Sequence, residues 1–448
     1  MALGVTPCVA LVLALSACAS EQRDTLPVFS SHVPFVQPAA FTLRKLTGKI
    51  QHVIIIVQEN RSFDNLFQGY PNADTMPFGM NSKGQKITLQ PIPLEREYVI
   101  DHSATAMFSA CNAKSGLPGT NCQMNGFDQE ESFNGPPNPE YVYVPHKESA
   151  PYFALAHEFA LADRMFQSHL DESFISHQYI IAGQAHHGVN LPGGYWGCDG
   201  GRTDRVQTIT AQRTYGPDEV ACFDYRTLAD ELDDHDLTWR FYSSTINNDG
   251  GEWSGYQAVK HIRYGPDWSK DIITPQTQFF NDVTAGNLAN VTWITPVCED
   301  SDHVNCGGNL GPQWVSSLVN AVGESQFWKT SAIFVMWDDW GGLYDHVPPP
   351  YEDFDGLGFR VPLLMISPYA SKNYVSHVQY EHGSILRFIE DQYGLGQLAA
   401  SDTRANDPGK DKSFDFTAPP RNYKPVPTLY PPSFFMDRPL DQRPPDEQ

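Results

Sequence analysis

Residues 51–67 read Gln51-His52-Val53-Ile54-Ile55-Ile56-Val57-Gln58-Glu59-Asn60-Arg61-Ser62-Phe63-Asp64-Asn65-Leu66-Phe67. The unbroken β-branched run from Val53 to Val57 predicts a strand buried on both faces, because it lacks the polar alternation of a half-solvated strand. It stops at Glu59-Asn60, and Arg61, Ser62 and Asp64 lead into a short helix. In open α/β sheets ligands sit just beyond the carboxyl ends of the strands. A carboxylate and an amide delivered there point to a metal site or a catalytic site. The competing reading is a helix cap after a core strand.

A second strand ends in the same way. Ala332 to Trp337 runs straight into Asp338-Asp339-Trp340-Gly341-Gly342-Leu343-Tyr344-Asp345-His346-Val347 and three prolines. Adjacent acids at one strand end repel unless a cation or a proton separates them. Together with Glu59 and Asn60 they make four hard oxygen donors from two strand ends. Such donors suit one divalent ion, Mg²⁺, Ca²⁺ or Mn²⁺, with Zn²⁺ a further option. The competing reading makes Asp338 a cap and Gly341-Gly342 a plain turn.

Outward from these strands the chain alternates. The patterning predicts helices at Ala150–Phe166, Ser173–Ala185, Arg226–Leu232, Gln278–Ala285, Trp314–Glu324 and Gly383–Tyr393. It predicts further strands at Trp239–Tyr242, Val291–Ile294 and Val361–Ile366. That rhythm indicates an α/β domain with a mostly parallel central sheet and helices on both faces. Long loops fill 69–148 and 186–224, and the segment from about Ser401 is rich in Pro and Asp and is expected to wrap the surface or fray.

The 448 residues include 35 Pro and 34 Gly, scattered rather than gathered into a linker, which favours one large decorated domain. The formal net charge is −23. That balance argues against a nucleic-acid groove, which needs clustered Lys and Arg, and disfavours docking on anionic lipid.

Val9 to Leu15 is apolar and short, and Leu15-Ser16-Ala17-Cys18 reads as a lipobox at the end of an export signal. Residues 1–18 are thus expected to be a signal peptide, with Cys18 lipidated as a membrane tether, followed by a lead-in over 19–48. The expected location is the periplasm or cell envelope, or the medium. Residues 2–7 contain no Lys or Arg, a departure from the usual signal. Six cysteines remain, and in an exported chain they point to disulfides. Near-neighbour pairing (Cys111–Cys122, Cys198–Cys222, Cys298–Cys306) would staple three long loops. No Cys-x-x-Cys occurs, so a zinc ribbon is not expected.

The nucleophile candidate is Ser173, at a predicted helix start where N–H groups and the helix dipole favour anions. Its competing reading is an ordinary N-cap. Among the histidines that follow an acid are those of Asp101-His102, Asp302-His303, Asp345-His346 and Glu381-His382. A nearby carboxylate favours imidazolium; any one of them alone reads more readily as a surface or capping histidine.

Glu59-Asn60-Arg61-Ser62-Phe63-Asp64, Asp101-His102, Met124-Asn125-Gly126-Phe127, Asp338-Asp339-x-Gly341-Gly342-x-x-Asp345-His346 and His382-Gly383-Ser384-Ile385-Leu386-Arg387 resemble a bacterial phosphoesterase family. That family contains phosphocholine-preferring phospholipases C and exported acid phosphatases. The matches keep the family's order over about residues 50–393. The resemblance implies an alkaline-phosphatase-like α/β fold, with a catalytic domain over 49–400 and a tail over 401–448. It implies one metal ion held by Glu59, Asn60, Ser173, Asp338 and Asp339. It implies Ser173 as nucleophile through a phosphoserine, with His102, His303, His346 and His382 around the phosphate. Three departures lean towards a phosphomonoesterase acting on phosphate esters, with phospholipase C as the alternative. Ser173-Phe174-Ile175-Ser176-His177 replaces the phospholipase pattern Thr-x-Pro-Asn-Arg, Asp339 stands where Glu is usual, and the chain ends soon after the catalytic region. A non-catalytic surface lipoprotein on the same fold is the remaining reading. A sulfatase is not expected, since the Cys/Ser-x-Pro-x-Arg motif is absent around Ser173.

Overall fold

A computed structural model describes residues 48–194, 196–439 and 443. The expected signal peptide, lipobox Cys18 and nearly all of the lead-in lie outside the described residues. The central sheet is built from β1 (His52–Gln58), β2 (Ala160–Ala162), β3 (Trp239–Tyr242), β4 (Ile272–Ile273), β5 (Val291–Ile294), β6 (Ser331–Trp337), β7 (Leu363–Ile366) and β8 (Tyr374–Ser376). Its order is β4-β3-β5-β1-β6-β7-β2-β8. The pairs from β4 to β6 are all parallel, β7 runs antiparallel to both β6 and β2, and β8 is parallel to β2. The sheet is therefore mixed, with a parallel half that contains the two strands read first from sequence.

Every residue of β1 and of β6 is buried, as expected for strands covered on both faces. Replacing Ile55, which is fully buried, by Ala would cost about 2–5 kcal/mol through lost burial and a cavity. The pairing register sets Val57 opposite Met336 and Gln58 opposite Trp337, so the two polar strand ends emerge side by side.

The flanking helices are α1 (Phe63–Phe67), α2 (His146–Glu158), α3 (Ser173–Ala182), α4 (Leu228–Asp234), α5 (Gln278–Thr284), α6 (Gly311–Gly323) and α7 (His382–Tyr393). Helix α2 packs on α6, and α3 packs on α7. Two expectations need correction. The helix read over Ala150–Phe166 begins earlier, at His146, and ends at Glu158. Phe159 turns extended and Ala160–Ala162 enters the sheet between β7 and β8, a pairing that apolar spacing does not reveal. The helix from Ser173 stops at Ala182, because Gly183 adopts φ 67° and caps it in the left-handed region.

The expected disulfides are present: Cys111–Cys122, Cys198–Cys222 and Cys298–Cys306. Beyond residue 400 the chain keeps packing on the domain, burying Phe414, Val426 and Phe435.

Candidate active site

The helix cap after β1 is Ser62, whose hydroxyl accepts the Asn65 N–H at 3.2 Å. Glu59 and Asn60 are therefore free for other work, and the chain holds them at a cost. Asn60 adopts φ 54°, a conformation uncommon outside glycine that Asn tolerates. Its N–H donates to Asp338 Oδ1 at 2.9 Å, tying the end of β1 to the end of β6. On the β6 side Gly341 and Gly342 have φ of 62° and 71°. A Cβ on Gly341 would stand 2.4 Å from the Asn60 carbonyl oxygen. That turn folds Asp339 back so that its Oδ1 accepts the Gly341 N–H at 2.7 Å.

Ser173 arrives from α3. The N-cap of that helix is Glu172, and Ser173 makes no capping bond. Its hydroxyl donates instead to Asp339 Oδ2 at 3.1 Å, and the Asn60 amide N–H donates to Ser173 Oγ at 3.2 Å. The amide nitrogen also reaches Asp339 Oδ2 at 3.1 Å and His102 Nε2 at 3.1 Å. His102 Nδ1 faces the Ile100 carbonyl at 2.9 Å. A carbonyl only accepts, so the proton is assigned to Nδ1 and Nε2 is the acceptor.

Four residues further along α3, on the same helix face, stands His177. Its Nε2 lies 3.1 Å from Glu59 Oε1 and 3.9 Å from Asp338 Oδ2. The three form a group whose donor atoms could hold one metal ion. All are buried, and Glu59 Oε2, Asn60 Oδ1 and Asp338 Oδ2 lack a hydrogen-bond partner. Burial, and then the Asp338 charge, push the Glu59 carboxyl well up; the same two causes push Asp339 up. Burial also opposes ionisation of Asp338, but His177, Glu59 and the Asn60 N–H hold it low. Burial pulls the His177 imidazole down to about 4, leaving a neutral ring with a lone pair. Crowded carboxylates, orphaned oxygens and a neutral imidazole are the donor chemistry of a divalent cation, so the residues fit the expected ion.

A second group, Asp64, Asp345 and His346, has the spacing of a metal site but not the chemistry. Its oxygens are already satisfied. Asp345 is gripped by the fully buried Arg360 at 3.0–3.2 Å, and Asp64 accepts from Met76 N and from His346 N and Nδ1. His346 Nε2 faces Asp74 at 3.0 Å. His346, expected at the phosphate, is therefore a cross-link in this network. The Asp and His adjacent in sequence do not pair there, because Asp345 is committed to Arg360.

The remaining expected residues divide. His102 and His303 line one cavity of about 260 Å³ with Asn60, Glu172 and Gly341. His382, at the start of α7, is buried; burial and the neighbouring His169 hold its ring neutral down to about 3. A neutral ring suits a lone-pair donor rather than an imidazolium at the phosphate. His169 and His177 were missed by sequence reading. The i, i+4 offset of His177 from Ser173 is a signal that could have found it. No periodicity marks His169, which sits in the loop before α3 with its ring centroid 5.7 Å from that of His382.

The Ser173 hydroxyl is thus held against a carboxylate beside a cation-ready cluster, next to Asn60 and Glu172, which line the cavity. The model of the Phosphoesterase family matches residues 50–396, and the chain belongs to that family. It is a hydrolase acting on phosphoric ester bonds. It is 25% identical over 398 residues to non-specific phospholipase C1 of Arabidopsis thaliana, covering 78% of this chain and 68% of that one. It is 24% identical over 438 residues to the non-hemolytic phospholipase C of Pseudomonas aeruginosa, covering 85% of this chain and 59% of that one. Among solved structures, a protein in the alkaline phosphatase superfamily from Vibrio parahaemolyticus aligns with a TM-score of 0.36 at 10% identity, over 82% of this chain and 72% of that one.

Proposed function

We propose that the protein is an exported phospholipase C-type phosphodiesterase that uses Ser173 as nucleophile and one divalent metal ion. The observation that carries the reading is the buried Ser173 hydroxyl, held at 3.1 Å by Asp339 and at 3.2 Å by Asn60, where Asn60, with His102 and Glu172, lines a cavity with apolar walls. Those walls are Tyr98, Val99, Ile100, Phe133 and Val304. A phosphomonoester has little use for such walls, whereas the diacylglycerol half of a phospholipid does. The names of the relatives support the same choice over the monoesterase preferred from sequence alone. The three disulfides support export, since such bonds persist in oxidising compartments.

In the first step Ser173 Oγ attacks phosphorus while its proton passes to Asp339 Oδ2. The bond from phosphorus to the glycerol oxygen breaks, and His303, across the cavity, protonates the leaving alcohol. In the second step water attacks the phosphoserine and yields its proton to His102 Nε2, the acceptor fixed by the Ile100 carbonyl, while the bond from phosphorus to Ser173 Oγ breaks and Asp339 Oδ2 returns its proton to that oxygen; proton exchange with solvent then resets His102 and His303. The Asn60 amide holds the Ser173 oxygen in place throughout. A divalent ion held by Glu59, Asn60, Asp338, Asp339 and His177 would offset the charge of the phosphoryl oxygens and favour the serine alkoxide. An imidazole among the donors favours Mn²⁺ or Zn²⁺ over Ca²⁺ or Mg²⁺.

The test compares phosphocholine released from phosphatidylcholine with phosphate released from p-nitrophenyl phosphate, with metal content measured on the same sample. The diester is expected to be preferred in kcat/KM by at least about tenfold. The reverse preference would return the protein to the phosphomonoesterases. No turnover of either would favour a non-catalytic lipoprotein.

A further inference from the structure

The wall of the catalytic cavity includes an unusual pair of side chains. Val99–Ile100 and Ser132–Phe133 form a two-stranded antiparallel ribbon, in which Val99 lies opposite Phe133. Neighbours on one face of such a ribbon stand close together. Tyr98 and Ile100, flanking Val99, are buried in a small apolar cluster with Val142, Val304 and Leu343, so the ribbon is anchored from below. Val99 and Phe133 are instead 36% and 60% exposed. Both line the cavity shared by His102, His303 and Asn60. Residues 131–135 around Phe133 are all exposed, so the ring stands on a projecting loop. Scattered exposed apolar residues are ordinary; two opposite each other at the mouth of a catalytic cavity are not.

The charge beside them is mostly negative, although Arg96 donates to the carbonyl of Asn134, next to Phe133, at 3.1 Å. Asp101 and Glu131 line the same cavity, and among the described residues no Lys or Arg does; Glu172 lines it too, but burial pushes its carboxyl up to about 7. Carboxylates next to an apolar tip complement a surface that presents ammonium groups over hydrocarbon. They repel a surface of bare phosphates.

Resting on the phospholipase reading above, we propose that the Val99–Phe133 ribbon is the membrane-contacting edge of the enzyme. It inserts its two apolar side chains between the headgroups of a zwitterionic bilayer and thereby sets the cavity mouth against the lipid to be cleaved. Aromatic residues commonly take such interfacial positions. The direction of insertion also gives the diacylglycerol product a path back into the bilayer along the apolar wall rather than through water.

The experiment uses the full chain and two variants, Phe133→Ser and Val99→Thr, the latter keeping a β-branched residue in the ribbon. Co-sedimentation is measured with vesicles of phosphatidylcholine alone and with vesicles containing an anionic phospholipid. Turnover is measured on phosphatidylcholine vesicles and on the soluble diester p-nitrophenyl phosphorylcholine. We expect wild-type protein to bind the zwitterionic vesicles more strongly than the anionic ones. Phe133→Ser is expected to lower both vesicle partition and the vesicle-to-soluble turnover ratio about tenfold, the scale of one partly buried aromatic ring. Val99→Thr should move both in the same direction by less. An unchanged ratio, an equal loss on both substrates, or wild-type protein that does not partition would each overturn the proposal. Failure of the wild-type enzyme to hydrolyse any diester would instead overturn the phospholipase reading, and the partition measurement would still decide the membrane edge.

Discussion

The backbone N–H of Asn60 donates to the carboxylate of Asp338 at 2.9 Å. This bond joins the ends of two neighbouring parallel strands and gathers Glu59, Asn60, Asp338 and Asp339 into one place. Ser173 and His177 then approach from a single helix.

Ser173→Ala should lower phosphodiester turnover on the order of 10³-fold or more, because it removes the attacking atom. The circular dichroism spectrum should stay that of the wild type, since the hydroxyl caps no helix. Near wild-type turnover would remove Ser173 from the mechanism.

Asp338→Asn and His177→Ala should each weaken metal binding by at least about 10–100-fold, the range seen even for groups that only orient ligands. Elemental analysis after dialysis against a mild chelator reads this directly. Stripping the wild-type protein should also lower its melting temperature, because a ligand that binds only the folded state stabilises it. Unchanged stoichiometry in both variants would move the metal elsewhere.

Gly341→Ala tests the turn rather than a donor. The new Cβ would meet the Asn60 carbonyl oxygen at 2.4 Å, in a residue already at φ 62°. The strain should cost about 1–3 kcal/mol, read by urea denaturation. Because Asn60 must shift, kcat should fall on the order of 10²-fold, the penalty for a displacement of about 1 Å in an aligned site.

His346→Ala should damage stability more than chemistry. Burial works against the imidazolium, but the hydrogen bond and charge of Asp64 outweigh it, so the His346 pKa is raised. Its contribution is therefore complete below the unfolded value, about 6.5, and is lost as pH rises through the folded one. The variant should be about 2–4 kcal/mol less stable than wild type at pH 5, with the gap narrowing at pH 9. Urea melts at both pH values check the sign. A gap that widened with pH would contradict the ion pair with Asp64.

Much of this site was legible in sequence because it sits at strand ends. An apolar β-branched run followed at once by Glu-Asn, or by Asp-Asp, states both the strand and its chemical terminus in consecutive letters. Helix α3 was legible as a helix, but the partner of the Ser173 hydroxyl, Asp339, was not. Capping and nucleophilic serines look alike until the partner of the hydroxyl is known. Adjacency of acid and His did not name the partners either: His346 binds Asp64 and Asp74, residues far away in the chain, and His102 faces the Ile100 carbonyl.

What the sequence determined by itself was local and periodic: the two buried strands, their polar ends, the α/β alternation and the likeness to phosphoesterases. Only the tertiary structure decided which polar ends meet. It made Asp64, Asp345 and His346 a saturated network and left Glu59, Asn60 and Asp338 with orphaned oxygens beside His177. The physical reason is that hydrogen-bond satisfaction is a property of contacts hundreds of residues apart. Residue type announces a capacity to bind a cation, and only packing shows whether that capacity has already been used.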